Sequence, residues 1–207
     1  DKRMNRPRLI LLVGIPGSGK TTYSKDYIDR NANTIHLSSD AIRKELYGDE
    51  SIQGNPGEVF SLMQKRAIEA LNNGQDVIYD STAVTRKDRA SIISICPKFA
   101  NIEAHIIWAP IEVCIKRDSV RERTVGKEVI DKMLKRFQAP YCDEGIDVIR
   151  INRTDYSLFE TYYDKCFNDM KIPHDNPHHT LDVYNHCWEA FDYICGRSTN
   201  ENLRYAA

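Results

Sequence analysis

The sequence predicts an α/β fold in which a parallel sheet of about five strands is sandwiched between helices. Short apolar runs with the length of buried strands recur along the first 150 residues, and helical patterns separate them. The first run, Leu9–Val13, leads into the glycine-rich stretch Gly14–Thr21 and then into a helical pattern from Thr21 to Arg30. This order of strand, loop and helix is typical of a parallel sheet that binds a ligand at its carboxyl edge.

The stretch Gly14–Thr21 fits every fixed position of the pattern G-x-x-x-x-G-K-[ST]. Its glycines let successive backbone N–H groups face one concavity, and the following helix presents its N-terminus to the phosphate held there. Lys20 is expected to reach the β- and γ-phosphates of ATP, and the Thr21 hydroxyl to bind Mg²⁺. The predicted nucleotide-binding residues are Gly14, Gly17, Ser18, Gly19, Lys20, Thr21 and Thr22.

A second strand, Thr34–Ser38, leads directly into a helix that Ser38 or Ser39 can cap. Asp40 and Arg43 are three residues apart on this helix, near the carboxyl edge of the sheet. We therefore predict Asp40 as a catalytic general base and Arg43 as the partner of a phosphate on the acceptor. A carboxylate that only caps the helix is the alternative for Asp40.

The third strand, Val77–Asp80, places another carboxylate at the same edge. Before it lie a polar loop, Gly48–Gly57, which we expect to border the acceptor pocket, and an amphipathic helix over Gly57–Asn73 that Gly74 ends. Asp80 can hold Mg²⁺ through water or orient the acceptor. The structural alternative is an aspartate that caps the following turn.

A helix capped by Thr85 is predicted to run to about Ile95, and its first turns carry a basic cluster. We expect this cluster to bind phosphates of the acceptor. Its members are Arg86, Lys87 and Arg89. The fourth strand, Ile102–Ala109, follows, and Pro110 opens the next helix at a position where its missing N–H is tolerated.

A helical lid is predicted after the fourth strand, because the break Val125–Lys127 separates two helical patterns, Ile111–Arg123 and Val129–Phe137. An arginine on a closing segment can stabilise the charge on a transferring phosphoryl group, which is worth ~10³-fold or more in rate. We favour Arg121 for this role. Arg117 is the second choice; it lies four residues earlier on the same predicted helix face, and we also assign it to nucleotide binding. Arg123 is third, and for any single arginine an ordinary surface charge is the alternative.

With a fifth strand, Ile146–Ile151, the first ~150 residues resemble the P-loop polynucleotide 5′-hydroxyl kinases, the kinase module of nucleic-acid end-repair enzymes. The motifs that carry the resemblance are Gly14–Thr21, the Asp40-x-x-Arg43 pair, Val77–Thr82 and the basic segment Lys116–Arg123. Lid sequences of this family vary, and the segment here leaves open whether Arg121 or Arg123 fills the lid position.

The resemblance implies a kinase that uses ATP and Mg²⁺, bound through Lys20 and Thr21. It also implies Asp40 as the base for a 5′-OH end of RNA or DNA, Arg43 on the adjacent phosphate and Arg121 on the transferring phosphoryl group. The wider clan includes kinases of small molecules and nucleotide sugars, so the motifs specify a kinase better than its acceptor. A nucleotide-sensing module without catalysis is a further alternative, against which a carboxylate at the acceptor side argues.

Three segments are predicted: a P-loop kinase domain over residues 1–152, a connecting helical segment over 153–173 and a helical fragment over 174–207. In the last, Asn176–His186 resembles the opening helix of HD-type phosphohydrolases, with His186 at the first metal-ligand position. The His-Asp pair expected after it is missing, so we interpret the segment as a truncated fragment. Three residues on one helix face, His179, Asp182 and His186, are an alternative metal site.

The composition limits the classes of partner. A formal net charge of −1 over 207 residues argues against a surface that wraps long nucleic acid. No apolar run approaches the ~20 residues of a membrane-spanning helix, so no membrane partner is expected. The N-terminal residues lack the apolar core of a signal peptide, and the expected location is the cytoplasm.

Overall fold

The computed structural model describes residues 6–81, 83–121 and 124–153. These residues belong to the first of two units of the chain, which spans Asp1–Thr154. Thr82, Arg123, nearly all of the predicted connecting segment and the whole HD-like fragment, including His179, Asp182 and His186, lie outside the described residues. The predictions made for them stay predictions.

Five parallel strands form one sheet in the order β2-β3-β1-β4-β5, which confirms the predicted α/β fold. The strands are β1 (Arg8–Val13), β2 (Thr34–Ser38), β3 (Asp76–Asp80), β4 (Asn101–Trp108) and β5 (Val148–Arg153). The central strand β1 is buried from Leu9 to Val13. Its uninterrupted apolar run follows from this position, because a central parallel strand is covered on both faces and cannot alternate with polar residues.

Six α-helices and one 3₁₀ turn connect the described strands. They are α1 (Lys20–Arg30), α2 (Ser39–Tyr47), α3 (Pro56–Asn72), α4 (Arg86–Ile95), α5 (Ile111–Ser119), α6 (Lys127–Lys135) and the 3₁₀ turn Cys142–Glu144. Both predicted caps are confirmed. The Ser38 hydroxyl accepts from the Ala41 N–H at 3.0 Å, and Thr85 and Asp88 form a reciprocal capping box at the start of α4. Gly74, with φ +74°, follows the end of α3 as expected.

The fifth strand begins two residues later than predicted. Ile146 is buried in the core but precedes the strand. Asp147 anchors the entry into it, because its N–H donates to the Ile102 carbonyl at 2.8 Å and its carboxylate accepts from the Ile102 N–H at 2.8 Å. Apolar periodicity alone therefore marked a buried residue as part of the strand.

The first lid helix is shorter than predicted. It ends at Ser119, and the Arg121 N–H then closes a turn on the Asp118 carbonyl at 3.1 Å. The Asp118 side chain is 2 % exposed, and its carboxylate accepts from the N–H groups of Val125 and Gly126. Asp118 thus stabilises both ends of the segment between α5 and α6, one through its backbone carbonyl and the other through its buried carboxylate.

A small apolar cluster joins the lid helices to the phosphate loop. Its buried members are Ile15, Val84, Ala109, Cys114 and Ile130. Ile130 of α6 is completely buried there, although five of the nine residues of α6 are charged. This packing holds the lid helices beside the glycine-rich loop. Within the described ranges, no helix has both the length and the apolar character needed to cross a bilayer.

Candidate functional site

A cavity of about 530 Å³ is lined by all five residues predicted to be catalytic: Lys20, Asp40, Arg43, Asp80 and Arg121. The strand order explains why they meet. The carboxyl ends of β2, β3 and β1 are adjacent in the sheet. Helix α2 follows β2, Asp80 is the last residue of β3, and the phosphate loop follows β1. The other lining residues are Pro16, Ser38, Ser39, Glu50, Gln53, Ser81, Val125 and Met133.

The phosphate loop leaves no room for side chains at two of its glycines. A Cβ atom at Gly14 would lie 2.6 Å from the Ile107 carbonyl oxygen, and one at Gly17 would lie 2.3 Å from the Cys114 carbonyl oxygen. Gly17 and Gly19 also have φ values of +80° and +105°, which residues with a side chain rarely adopt. The loop is therefore a backbone cradle between β1 and α1, as the sequence pattern predicts for phosphate.

Lys20 is the first residue of α1, and its ammonium donates to the carbonyls of Gly14 at 2.8 Å and Ile15 at 3.2 Å. An ammonium has three N–H donors, so two contacts to the loop leave one for a ligand phosphate. Burial lowers the pKa of Lys20, whereas the negative charge of Asp80 raises it in opposition. A phosphate that enters the cradle would add the negative charge that favours the protonated ammonium.

The residues of this region fit ATP and Mg²⁺. The glycine cradle suits a phosphate, and the exposed Thr21 hydroxyl lies in the first turn of α1. Asp80, at the end of the neighbouring strand β3, supplies a carboxylate to the same cavity. Hydroxyl and carboxylate oxygens are the ligands that a hard cation such as Mg²⁺ prefers.

Asp40 and Arg43 form an ion pair within α2, with 2.5 Å between Arg43 Nη1 and Asp40 Oδ1. The Arg43 side chain is 15 % exposed, while that of Asp40 is 59 % exposed. The carboxylate is thus open to an incoming group, and the guanidinium is held largely inside the protein beside it. The pair can meet a hydroxyl and an anion on one acceptor.

Asp80 has a partner that the sequence pattern did not indicate. His36 Nε2 lies 3.2 Å from Asp80 Oδ2, and the two side chains are 27 % and 13 % exposed. His36 belongs to β2 and is 44 residues away in sequence. The only signal for it was its place two residues before the carboxyl end of a strand, which predicts no contact by itself.

The two lid arginines are placed differently from the prediction. Arg121 lines the cavity but follows the end of α5, so it does not share a helix face with Arg117. Arg117 lies within α5, and its Nη1 donates to the Gly17 carbonyl at 3.3 Å. Arg121 therefore reaches the cavity, whereas Arg117 contacts the phosphate loop.

The expectation that Arg89 binds acceptor phosphates is wrong. Its side chain is 0 % exposed, and its Nε donates to Glu144 Oε2 at 2.8 Å. Its guanidinium also donates to the carbonyls of Ala83 and Gln138. None of the three residues of the predicted basic cluster lines the cavity, and Arg86 forms an ion pair with Asp143. The prediction for Arg89 is wrong because the sequence shows charge but not which side chain turns inward, while the expectation for exposed Lys87 stays a prediction.

The polar loop between α2 and α3 borders the cavity, as predicted, through Glu50 and Gln53. Its base is held in place by Tyr47, whose hydroxyl donates to Glu58 at 2.9 Å and accepts from the Asn55 N–H at 3.0 Å. The lid segment contributes two apolar residues that the sequence did not single out, Val125 and Met133. The lining of the cavity thus combines a polar loop with two apolar side chains.

No group of three or more histidine, cysteine, aspartate or glutamate residues close enough to hold a metal ion occurs in the part of the chain that the structure describes. A Mg²⁺ ion at this site would therefore depend on the phosphates of the nucleotide as well as on protein oxygens, which is usual for Mg²⁺ in kinases.

A protein-family model described as "AAA domain" matches residues 9–140. The chain is also 30% identical over 143 residues to the L-seryl-tRNA(Sec) kinase of Methanococcus maripaludis, an alignment that covers 64% of this chain and 53% of the relative. The chain thus spans about half the length of that relative.

Solved structures share the fold. A chain in the structure of the Pnkp1/Rnl/Hen1 RNA repair complex matches with a TM-score of 0.60 at 24% identity, over 71% of this chain and 49% of that one. A gluconokinase from Sinorhizobium meliloti 1021 matches with a TM-score of 0.51 at 16% identity, over 75% of this chain and 87% of that one. Similarity at these identities concerns the fold and not the acceptor.

Proposed function

The chain belongs to the AAA domain family, and we propose that it is a P-loop kinase that transfers the γ-phosphate of ATP to a 5′-OH end of RNA or DNA. One observation carries this proposal. A single cavity joins the phosphate loop, through Lys20, to the Asp40–Arg43 pair, in which a carboxylate and a guanidinium are in contact. A 5′-terminal nucleotide within a strand offers the matching pair of groups, a hydroxyl and a nearby phosphate.

In the proposed reaction, Asp40 accepts the proton of the 5′-OH while the oxygen of that hydroxyl forms the new bond to the γ-phosphorus. Arg43 orients the acceptor by binding its first phosphate. ATP with Mg²⁺, when bound, supplies the phosphoryl group. ADP leaves as the bond between the γ-phosphorus and the bridging β-phosphate oxygen breaks. Lys20 and Arg121 neutralise charge on the phosphoryl oxygens, so the protein contributes mainly positioning and electrostatic stabilisation.

Charges and size of the cavity limit the acceptor to its terminal part. Three acidic side chains, Asp40, Glu50 and Asp80, accompany three basic ones, Lys20, Arg43 and Arg121. Such a balanced lining does not attract a long polyanion, and a volume of about 530 Å³ suits one nucleotide beside the transferring phosphate. We therefore expect the cavity to hold a strand end and not a run of backbone.

The same balance favours a second candidate, a kinase whose acceptor is a small molecule with a free hydroxyl. The two candidates differ at Arg43, because a nucleoside or a neutral sugar has no phosphate for this guanidinium to bind. A nucleotide sensor without catalysis is the third candidate. The exposed Asp40 carboxylate argues against it, since a sensor needs no base beside the phosphate loop.

The test is incubation with γ-labelled ATP and a panel of 5′-OH RNA, 5′-OH DNA, nucleosides and sugars. We expect label on the oligonucleotides, and we expect a nucleoside 3′-phosphate to react faster than the nucleoside. Equal rates for those two compounds would support the small-molecule kinase. ATP binding without transfer to any acceptor would leave the sensor as the explanation.

A further inference from the structure

We propose that His36 is a positioning residue of the nucleotide site, which holds the Asp80 carboxylate in the orientation that serves the Mg²⁺ of bound ATP. The inference rests on the proposed ATP and Mg²⁺ site and not on the identity of the acceptor. It assigns a role in the donor half of the reaction to a side chain that no recognised motif contains.

The register of the sheet brings the two side chains together. Strands β2 and β3 are parallel, with Ser38 opposite Asp80 and His36 opposite Ile78. Residues two apart on a strand share a face, so His36 lies on the same face as Asp80, one step further from the carboxyl edge. The imidazole therefore contacts Asp80 from a position nearer the amino ends of the strands, and His36 does not itself line the cavity.

The contact uses one of the two carboxylate oxygens. His36 Nε2 is 3.2 Å from Asp80 Oδ2, so we assign the ring proton to Nε2, because a carboxylate oxygen accepts the hydrogen bond. The other oxygen is left for the cavity, which Asp80 lines. The last torsion of an aspartate side chain is loosely defined by its own rotamer preferences, so a second bond is needed to fix which oxygen faces the ion.

Loss of the histidine would expose Asp80 to a competing attraction. Burial lowers the pKa of Lys20, and the negative charge of Asp80 is the largest influence that opposes this shift. A carboxylate released from His36 could rotate toward that ammonium and serve the cation less well. Hydrogen-bond partners of metal-binding carboxylates typically affect metal affinity or activity by about 10- to 100-fold.

A purely structural tie between β2 and β3 is the competing explanation, and the chain contains a pair of that kind. His105 Nε2 lies 2.8 Å from Glu103 Oε2 on β4, and both side chains are almost completely buried. Neither residue lines the cavity. His105→Asn is therefore the matched control, since its shorter amide breaks a histidine–carboxylate contact of the same sheet away from the nucleotide site.

The experiment measures ATP binding by calorimetry at increasing Mg²⁺, without acceptor, for the wild type, His36→Gln, His36→Asn and His36→Leu. The glutamine amide nitrogen can take the place of Nε2, whereas that of asparagine is too short to reach it. We expect the Mg²⁺ concentration for half-maximal enhancement of ATP binding to rise at least 10-fold for His36→Asn and His36→Leu. His36→Gln, which keeps the hydrogen bond, and His105→Asn, which breaks the control contact, should stay within about 3-fold of the wild type.

Two further outcomes decide between positioning and structure. His36→Asn combined with Asp80→Asn should be no worse than Asp80→Asn alone, because the histidine acts through that carboxylate. An unchanged Mg²⁺ requirement in His36→Asn, or an equal loss of ATP affinity with and without Mg²⁺, would overturn the inference. If the wild type binds Mg²⁺ and ATP but phosphorylates no 5′-OH end, the proposed acceptor is wrong and the His36 comparison still stands or fails by itself.

Discussion

Four of the six charged residues of the cavity are held by a neighbouring group. Lys20 is tied to the carbonyls of its own loop, Asp40 to Arg43, and Asp80 to His36. The ammonium and the two carboxylates are therefore oriented before any ligand enters. Pre-oriented groups need less rearrangement during transfer, which is the main source of rate enhancement in phosphoryl transfer.

Lys20→Ala and Asp40→Asn should both abolish turnover, but by different routes. Lys20 acts on the nucleotide, so its loss should weaken ATP binding as well. Asp40→Asn should lower kcat by about 10²- to 10⁴-fold, the range for a general base, and leave ATP affinity unchanged. Calorimetry and initial rates check this. Arg66→Gln is the control. It breaks an exposed ion pair with Glu45, which lies on the same helix as Asp40 but outside the cavity, and it should leave kcat and ATP affinity unaltered. Near-normal turnover of folded Asp40→Asn would disprove the base assignment.

Arg121→Ala should lower kcat by roughly 10³-fold and change the equilibrium affinity for ATP little, since an arginine that meets charge on the transferring group acts mainly in the transition state. Single-turnover rates and ATP titrations separate the two effects. An equal loss in both would instead make Arg121 a ground-state contact of ATP. Arg121→Lys, which keeps the charge but loses the planar donor fork, should recover only part of the rate.

The Arg89–Glu144 pair stabilises the fold and should be visible in unfolding experiments. Burial would raise the pKa of Glu144, but the hydrogen bonds from Arg89 and from the Tyr141 N–H hold that pKa below its usual value. Because the folded-state pKa is the lower one, the stabilisation is present at neutral pH and is lost as the pH falls through it. Arg89→Met should cost about 3–5 kcal/mol, since it leaves a buried charge unpaired.

The double variant Arg89→Met with Glu144→Leu provides the comparison for that prediction. It leaves no unpaired charge, so its free energy of unfolding should lie closer to the wild type than that of Arg89→Met. Denaturant unfolding at neutral and acidic pH measures both. A loss below about 1 kcal/mol for Arg89→Met would mean that water reaches Glu144 and screens its charge.

At the scale of elements, three segments form the walls of the cavity around the strand ends. The phosphate loop contributes Pro16 and Lys20, the polar loop contributes Glu50 and Gln53, and the lid contributes Met133 of α6 and Val125 of the segment before it. Buried Ile130 packs the lid onto the body, and Asp118 shapes the segment between α5 and α6. The lid wall thus depends on packing against elements distant in sequence, whereas Tyr47 holds the polar loop through contacts nearby in the chain.

Gly17→Ala should abolish ATP binding, because its methyl group would lie 2.3 Å from the Cys114 carbonyl oxygen on α5 and would require a φ near +80°. Gly74→Ala is the matched control. Its φ is also positive, at +74°, but no atom lies within 4 Å of an added Cβ. We expect Gly74→Ala to lose roughly 1 kcal/mol of stability through backbone strain and to bind ATP normally. ATP binding by Gly17→Ala within a few-fold of the wild type would show that the loop can move away from α5.

At the scale of the whole molecule, the near-zero net charge and the balanced cavity agree with each other. Arg89 is buried, Arg86 is paired with Asp143, and none of the three residues of the predicted basic cluster lines the cavity. We therefore expect Arg43 to be the main contact for acceptor phosphate within the cavity. The protein should therefore bind the end of a strand and make no continuous contact with its backbone.

The affinity for 5′-OH oligonucleotides should not increase with length beyond about three nucleotides, and its salt dependence should be shallow. Each phosphate neutralised on a single strand contributes a log–log slope of about −0.7, so one or two contacts give about −0.7 to −1.4. Binding measured at several salt concentrations with strands of 2, 3, 6 and 12 nucleotides checks both. A slope steeper than about −4 would reveal an extended basic groove that the described surface does not show.

The sequence by itself determined the α/β fold, the phosphate loop and the two strand-end carboxylates, because each depends on residues that are neighbours in the chain. Strand length, helix caps and the glycine pattern are local signals of this kind. Asp40 and Arg43 could be paired from their helical spacing for the same reason.

Only the tertiary structure decided which charges face inward and which side chains act on one another. His36 and Asp80 are 44 residues apart, and Arg89 and Glu144 are 55 apart. Their contacts depend on strand register and on the fold of the segment after α6, which no local pattern encodes. Arg121 likewise reaches the cavity only because α5 ends at Ser119, where a turn on Asp118 replaces the helix that the sequence pattern would continue.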